Sequence, residues 1–514
     1  MKPSSLLTHG PALLLACASP VLGQPVIQPP HIKPSVALQH QAVDLGQRAS
    51  FTVIAVGDAP LSCQWRLDGH ELAGQTNRTL SFNAAQPADE GDYTVLVTNL
   101  AGAVTNPPVR LWVTPPASMF IKANFTNSLG RLPYFYFLPT NYDVTHRYPL
   151  FLTFHGGPAD ETTVPGFLAI PAFKTGASYR QQERDPAIQL WATHRAGDGD
   201  WTDAYLRQAC ALLDQFIPQF NVDTNRIYVA GASMGLHAAW DMIAMKPGFF
   251  AGAFLIAGWQ GNRPAVSIKD VPVWAWCAQD DGLLPDTRNL VRALRLAGGN
   301  VRYTEYVTGK YTDSTGIAYD AHGGSMLMGA ATPVTMDWLL AQRRGAPSTA
   351  QPLLTITNPT AQAVWRTGAT NLSLAGSALA MDQDVTGVAW ENAANKLTGI
   401  AEGSNAWTIT NLPLTANRTN VVVVTGTTTS WAPACGGNTT FNQTLMVVCY
   451  PIQATLARQG TGALLDWTGG GPPYRVQCAS NLPAGNWSDF LNNAVPPVVV
   501  PLDGATGFYR ITGQ

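Results

Sequence analysis

Charge is scarce in this chain. Only 12% of its 514 residues are Asp, Glu, Lys or Arg, about half the roughly 25% of an average soluble protein. That excludes a charge-driven disordered chain, and 47 glycines with 38 prolines exclude a long coiled coil. The 31 basic and 33 acidic residues nearly cancel, and no basic stretch stands out. Nothing here attracts a phosphate backbone, so nucleic acid is not an expected partner. Apolar runs are short: none approaches the roughly 20 residues of a membrane-spanning helix. The 7 cysteines contain no CxxC pair, which argues against a zinc cluster.

What is present is a long, apolar, turn-rich chain. Its length suits about three or four domains, and 46% hydrophobic residues can fill their cores. The start reads Met1, Lys2, an apolar run from Ala12 to Ala18, then small residues to Gly23 and Gln24. That is the layout of a secretory signal peptide over residues 1–24, which implies export. Within it, Leu14-Leu15-Ala16-Cys17 resembles a bacterial lipobox, making Cys17 a candidate lipid anchor at the cell surface. In an oxidising compartment Cys435 and Cys449 are candidates to staple a hairpin.

Four segments follow. Residues 31–115 alternate like short sandwich strands, with Gly, Pro and Asp at the turns. Trp65 and the Asp89-x-Gly91-x-Tyr93 stretch resemble the core tryptophan and tyrosine corner of an immunoglobulin domain, with Val95 where its second cysteine would stand. Residues 119–345 change character: continuous apolar strands alternate with helical stretches, the pattern of a mostly parallel sheet with helices on both faces. The expected strands are Tyr134–Phe137, Leu150–Phe154, Ile227–Ala230, Phe254–Ile256, Val273–Trp276 and Val301–Tyr306. The expected helices are Asp203–Phe216, Met234–Met245, Arg288–Ala297 and Val334–Arg343. Residues 353–450 return to strands and read as a second immunoglobulin-like sandwich, with Trp390 and Trp407 in its core. Residues 451–514 read as a small C-terminal β-sandwich.

The chemistry lies in the second segment. Gly231-Ala232-Ser233-Met234-Gly235 is a G-x-S-x-G pentad. Alone it carries little weight, but it sits between an apolar strand and a helical stretch, where a sharp turn exposes the serine. A serine hydroxyl needs a base, and the base an orienting carboxylate. In this setting the acid and then the histidine follow the serine along the chain. Two histidines follow within the segment, His237 and His322, and His237 lies only four residues on, along the same helix. That leaves His322. Asp280 and Asp281 end the strand Val273–Trp276; Asp281 is preferred, because Asp281-Gly282-Leu283-Leu284-Pro285 resembles the D-x-x-V-P pattern that follows the acid, with Asp280 in reserve. Upstream, His155-Gly156-Gly157-Pro158 closes another apolar strand. Its glycines let backbone N–H groups approach a substrate oxygen. His155 precedes the serine and reads as structural.

Together these residues resemble the α/β-hydrolase superfamily, and within it the secreted polyhydroxybutyrate depolymerase and feruloyl esterase-like group. Asp223 to Gly235, Arg292 to Gly299, and Arg302-Tyr303-Thr304-Glu305-Tyr306 carry the closer likeness. Leu236 and Cys277 depart from it, standing where many relatives have Gly and His. The resemblance implies a multidomain exported enzyme: a central α/β-hydrolase domain flanked by immunoglobulin-like sandwiches. It implies acyl transfer to water through Ser233, Asp281 and His322, with oxyanion donors at Gly156, Gly157 and Met234 and no metal or organic cofactor. The expected partner is an ester substrate, with polymeric ones among the candidates: acyl or feruloyl esters of polysaccharide, or a hydroxyalkanoate polyester. Two other readings stay open, a serine peptidase on the same fold and a non-catalytic extracellular binding protein with a decayed hydrolase domain.

Overall fold

The computed structural model describes residues 27–35, 38–157, 159–312, 317–330, 332–346, 353–379, 385–429, 438–480, 486–501 and 508–513. The leader over 1–24, Cys17 and Cys435 lie outside them. The alternation read in residues 31–115 becomes two layers. One sheet runs Gln41–Asp44, Val109–Thr114, Gly91–Asn99, Ser62–Leu67 and His70–Glu71, and Ala49–Thr52 pairs with Thr79–Phe82 beside it. Trp65 is fully buried and stacks on Phe51 at 6.3 Å. The Tyr93 hydroxyl donates to the Asp89 carbonyl at 2.6 Å, tying the corner of that layer. Val95 is also fully buried, so apolar packing fills the place of a disulfide.

The next segment forms strands β1 (Ile121–Asn127), β2 (Gly130–Phe137), β3 (Tyr148–Phe154), β4 (Ile188–Ala192), β5 (Val222–Ala232), β6 (Gly252–Ile256), β7 (Val273–Ala278) and β8 (Val301–Tyr306). Their order in the sheet is β1-β2-β4-β3-β5-β6-β7-β8. From β4 to β8 every neighbouring pair is parallel. Strands β4, β6 and β7 are buried along their whole length, as strands covered on both faces must be. Among the described residues the longer helices that accompany them are α1 (Asp203–Gln219), α2 (Met234–Met245), α3 (Leu284–Leu296), α4 (Ala321–Ala330) and α5 (Pro333–Ala341), with two short ones, Val164–Leu168 and Tyr179–Arg184, between β3 and β4.

Alternation along β5 divides those helices. A Cβ at Gly231 would lie 2.0 Å from the Gly235 carbonyl oxygen, so that position faces α2. Ala230 and Ala232 point the other way, towards a cavity lined by Met326 of α4 and Met336 of α5. Helix α1 joins α2 by burying one stripe, Tyr205, Leu206, Ala209, Leu212, Leu213 and Phe216.

Strands β1 and β4 are not among the expected ones: β1 carries no buried residue, and Gln189 interrupts the short apolar run of β4. The sheet also does not end at β8. Tyr303 to Glu305 pair antiparallel with Asn438 to Thr440, so the long strand Asn438–Cys449 carries the sheet on into the following sandwich. Thr304 and Thr439 share a hydroxyl contact at 2.9 Å across that seam. An exposed edge strand is a template for unwanted pairing, and here it is occupied. Beyond the seam Trp407 is buried with Leu374, Val422 and Phe441, while Trp390 packs half-buried against that core. Residues 451 onward form two three-stranded sheets around Leu465, Trp467 and Val476. Cys449 is buried and its thiol faces the Ala369 carbonyl at 3.2 Å.

Candidate functional site

Ser233 sits at the junction of β5 and α2 with φ 55° and ψ −124°. A non-glycine residue rarely adopts a positive φ, and holding it there costs about 1–3 kcal/mol. Its own N–H donates to the Ile256 carbonyl of β6 at 2.9 Å, which pins the turn to the next strand. Small neighbours make that turn possible. A Cβ at Gly235 would lie 2.0 Å from the Phe154 carbonyl oxygen, so α2 starts directly against the end of β3. The serine is thereby presented at the carboxyl edge of the parallel strands.

The loop after β3 runs alongside. A Cβ at Gly156 would lie 3.2 Å from the Ser233 Cβ, and one at Gly157 would lie 3.0 Å from the end of the Met234 side chain. Met234 is the first residue of α2. Amides of a first helical turn have no partner within the helix and sit at its positive end. His155 is buried, its Nδ1 within 2.8 Å of the Gly156 carbonyl. Burial pushes its imidazole down to about 4, so it stays neutral at ordinary pH. His194 crosses it edge-on at 4.9 Å, and the Trp201 indole N–H donates to the His155 carbonyl at 3.1 Å. This packing fixes the glycine loop from behind, and sequence reasoning found only its first member.

The carboxylate and imidazole come from elsewhere in the chain. Asp281 follows β7 and is buried, with His322 Nδ1 at 3.0 Å from Oδ2 and 3.2 Å from Oδ1. Burial pushes the Asp281 carboxyl up, but the His322 hydrogen bond and the Leu283 N–H outweigh it and leave it below the usual carboxylate range. In return the Asp281 hydrogen bond raises the His322 imidazole above its ordinary value, against desolvation. Since Nδ1 faces the carboxylate, Nε2 is the nitrogen left for chemistry. Asp280 turns away and accepts from the Gly309 N–H and the Thr308 hydroxyl. His237 is not part of this group: its Nε2 lies 3.1 Å from the Asn262 amide nitrogen and 3.4 Å from Asp241.

The glycine-rich stretch around His322 forms the 10-residue helix α4, with His322 in its first turn. His-Gly-Gly is a poor helix former, so tertiary contacts supply what propensity lacks. Beneath the serine turn lies a cavity of about 70 Å³ bordered by Gly156, Ala232, Phe167, Phe173, Trp191 and Met326. Ser233 is not among its lining residues. Among the described residues no cluster of three or more His, Cys, Asp or Glu side chains could hold a metal ion. No described helix is long and apolar enough to cross a membrane.

The buried Trp65 and the Tyr93 corner already mark the first module. Residues 33–107 match the immunoglobulin I-set domain. Its strand Val109–Thr114 and the turn over Pro171–Ala177 join the module to the central sheet. There the Lys174 ammonium, fully buried, bonds Asp44 and the Pro115 carbonyl. Solved structures similar to the chain include a thermostable esterase, at 20% identity over 59% of this chain and 99% of that one, with a TM-score of 0.40. A feruloyl esterase module from Clostridium thermocellum complexed with sinapinate is 16% identical over 34% of this chain and 72% of that one, with a TM-score of 0.29. A CE1 ferulic acid esterase from Anaeromyces mucronatus, in complex with ferulic acid, is 14% identical over 41% and 89%, with a TM-score of 0.33.

Proposed function

We propose that the chain is an exported serine carboxylic-ester hydrolase whose central domain is of the α/β-hydrolase type. The observation that carries this reading is that a strained serine follows the end of β5 and an Asp281–His322 hydrogen bond stands just past the end of β7. The strands from β4 to β8 are parallel, so both ends lie on the same edge of the sheet.

Asp281, ionised and buried, accepts a hydrogen bond from the Nδ1–H and so fixes the neutral tautomer with Nε2 free. His322 Nε2 takes the Ser233 hydroxyl proton as the oxygen attacks the ester carbonyl carbon. The carbonyl π pair moves to oxygen, where the N–H groups of Met234 and the Gly156–Gly157 loop stabilise the charge. Collapse expels the alkoxide, which leaves as the alcohol with the His322 proton, and an acyl-serine remains. Water, deprotonated by the same nitrogen, releases the acid. No metal or cofactor enters these steps. The substrates in view are acyl or feruloyl esters of polysaccharide, or a hydroxyalkanoate polyester.

The test is hydrolysis of p-nitrophenyl acetate by the full chain beside Ser233→Ala and His322→Ala. Activity lost by about 10³-fold or more in both variants supports the reading and directs work to feruloyl, acetyl and polyester substrates. A folded wild-type chain without activity sinks it and favours the binding protein.

A further inference from the structure

We propose that Asp280 is a positioning residue for His322, acting through the turn at Thr308 and Gly309. This rests on the hydrolase reading of the site. The adjacent carboxylates divide two tasks: Asp281 holds the imidazole ring, and Asp280 holds the turn against which the helix of His322 rests.

The chain of contacts is short. Asp280 Oδ1 accepts the Gly309 N–H at 2.6 Å, and Oδ2 accepts the Thr308 hydroxyl at 2.8 Å. Thr308 Oγ1 also accepts from the Lys310 N–H at 3.2 Å, which closes the turn. Gly309 then lies directly on the first turn of α4. A Cβ at Gly309 would stand 2.0 Å from the Ala321 carbonyl oxygen, and a Cβ at Gly324 would stand 1.7 Å from the Gly309 carbonyl oxygen. His322 lies between those two contacts. Ser325 closes the same turn from inside by donating to the Ala321 carbonyl at 2.8 Å. A helix beginning Ala-His-Gly-Gly has little intrinsic stability, so its placement depends on what it rests against. Displacing the turn by an ångström would move the imidazole by a similar amount, enough to cost about 10²-fold in rate.

Asp280 is solvent-exposed, so its removal should leave the fold intact and the two effects separable. The variants are Asp280→Ala, Asp280→Asn and Gly309→Ala in the full chain. The direct readout is the low-field proton signal of the His322 Nδ1–H, identified by its loss in His322→Ala. It reports the Asp281 hydrogen bond without any turnover, so it stands even if the chain is no esterase. The kinetic readout is kcat against KM for p-nitrophenyl acetate. Asp280→Ala and Gly309→Ala should lose or shift the signal and lower kcat by about tenfold or more, with KM within about twofold. Asp280→Asn keeps an acceptor for the Gly309 N–H and an amide group to bond the Thr308 hydroxyl, and should retain both. A wild-type signal and kcat in Asp280→Ala overturn the proposal. So does an equal loss in Asp280→Asn, which would make charge the cause. Should Asp280→Ala fail to fold, Thr308→Val removes one of the two bonds, and a wild-type signal and kcat there overturn it as well.

Discussion

Gly235 and Phe154 stand so close that a Cβ on the glycine would lie 2.0 Å from the phenylalanine carbonyl oxygen. The same Cβ would lie 2.7 Å from the His155 carbonyl. The start of α2 and the end of β3 are thus a single unit, and the serine turn and the glycine loop move together or not at all.

Gly235→Ala should therefore do more harm than an ordinary helical Gly→Ala change. The clash is with backbone atoms that cannot rotate away, and overpacking of this kind costs about 1–3 kcal/mol. Urea unfolding measures that loss, and ester hydrolysis should fall with it. Gly282→Ala, where nothing lies within 4 Å, is the control and should shift stability by no more than about 0.5 kcal/mol.

The His322 shift sets the pH dependence. A general base works only when neutral, and the Asp281 hydrogen bond raises this imidazole above its usual value. The acid limb of kcat/KM should lie above the roughly 6.5 of an unperturbed histidine. In Asp281→Asn it should move down in pH as overall activity falls. The stability sign runs opposite to activity: a raised imidazole stabilises the folded chain fully below its unfolded value, and that contribution fades as pH rises through the folded one. A limb unmoved in Asp281→Asn would show that another group controls it.

Lys174→Met tests the joint between the first module and the central sheet. The change leaves the buried Asp44 without its cation, and breaking such a pair by removing one partner costs about 3–5 kcal/mol. Lys174→Met combined with Asp44→Asn should recover part of this in thermal unfolding. No recovery would mean that lysine packing, not the charge, holds the joint.

Tyr93→Phe removes only the hydroxyl that donates to Asp89. A typical hydrogen bond contributes about 0.5–1.5 kcal/mol, so a small drop in stability is expected. Ester hydrolysis, measured on the same preparation, should not change.

The strong local patterns could be read directly. The apolar run Val273–Trp276, bounded by turn signals, reads as a strand buried on both faces, and Met234–Met245 is bounded as a helix by the pentad before it. Trp65 and Tyr93 marked the first module for the same reason: their packing roles follow from local spacing. Local signals could not provide β4, where one glutamine breaks a short run, or the helix at His322, whose glycines argue against helix and whose shape depends on Gly309 pressing on it from outside. The stretch after Asp281 favoured it over Asp280 without fully separating the two, since consecutive residues at a strand end point in different directions and only the fold says what stands in each. By itself the sequence determined which residues are candidates for the site and in what order they follow one another. Tertiary structure alone decided that Asp281 meets His322 across 41 residues, that Asp280 meets the turn beneath it, and that the sheet runs on into the next module. Hydrogen bonds of a few ångströms depend on where distant segments pack, and no pattern within one segment encodes that.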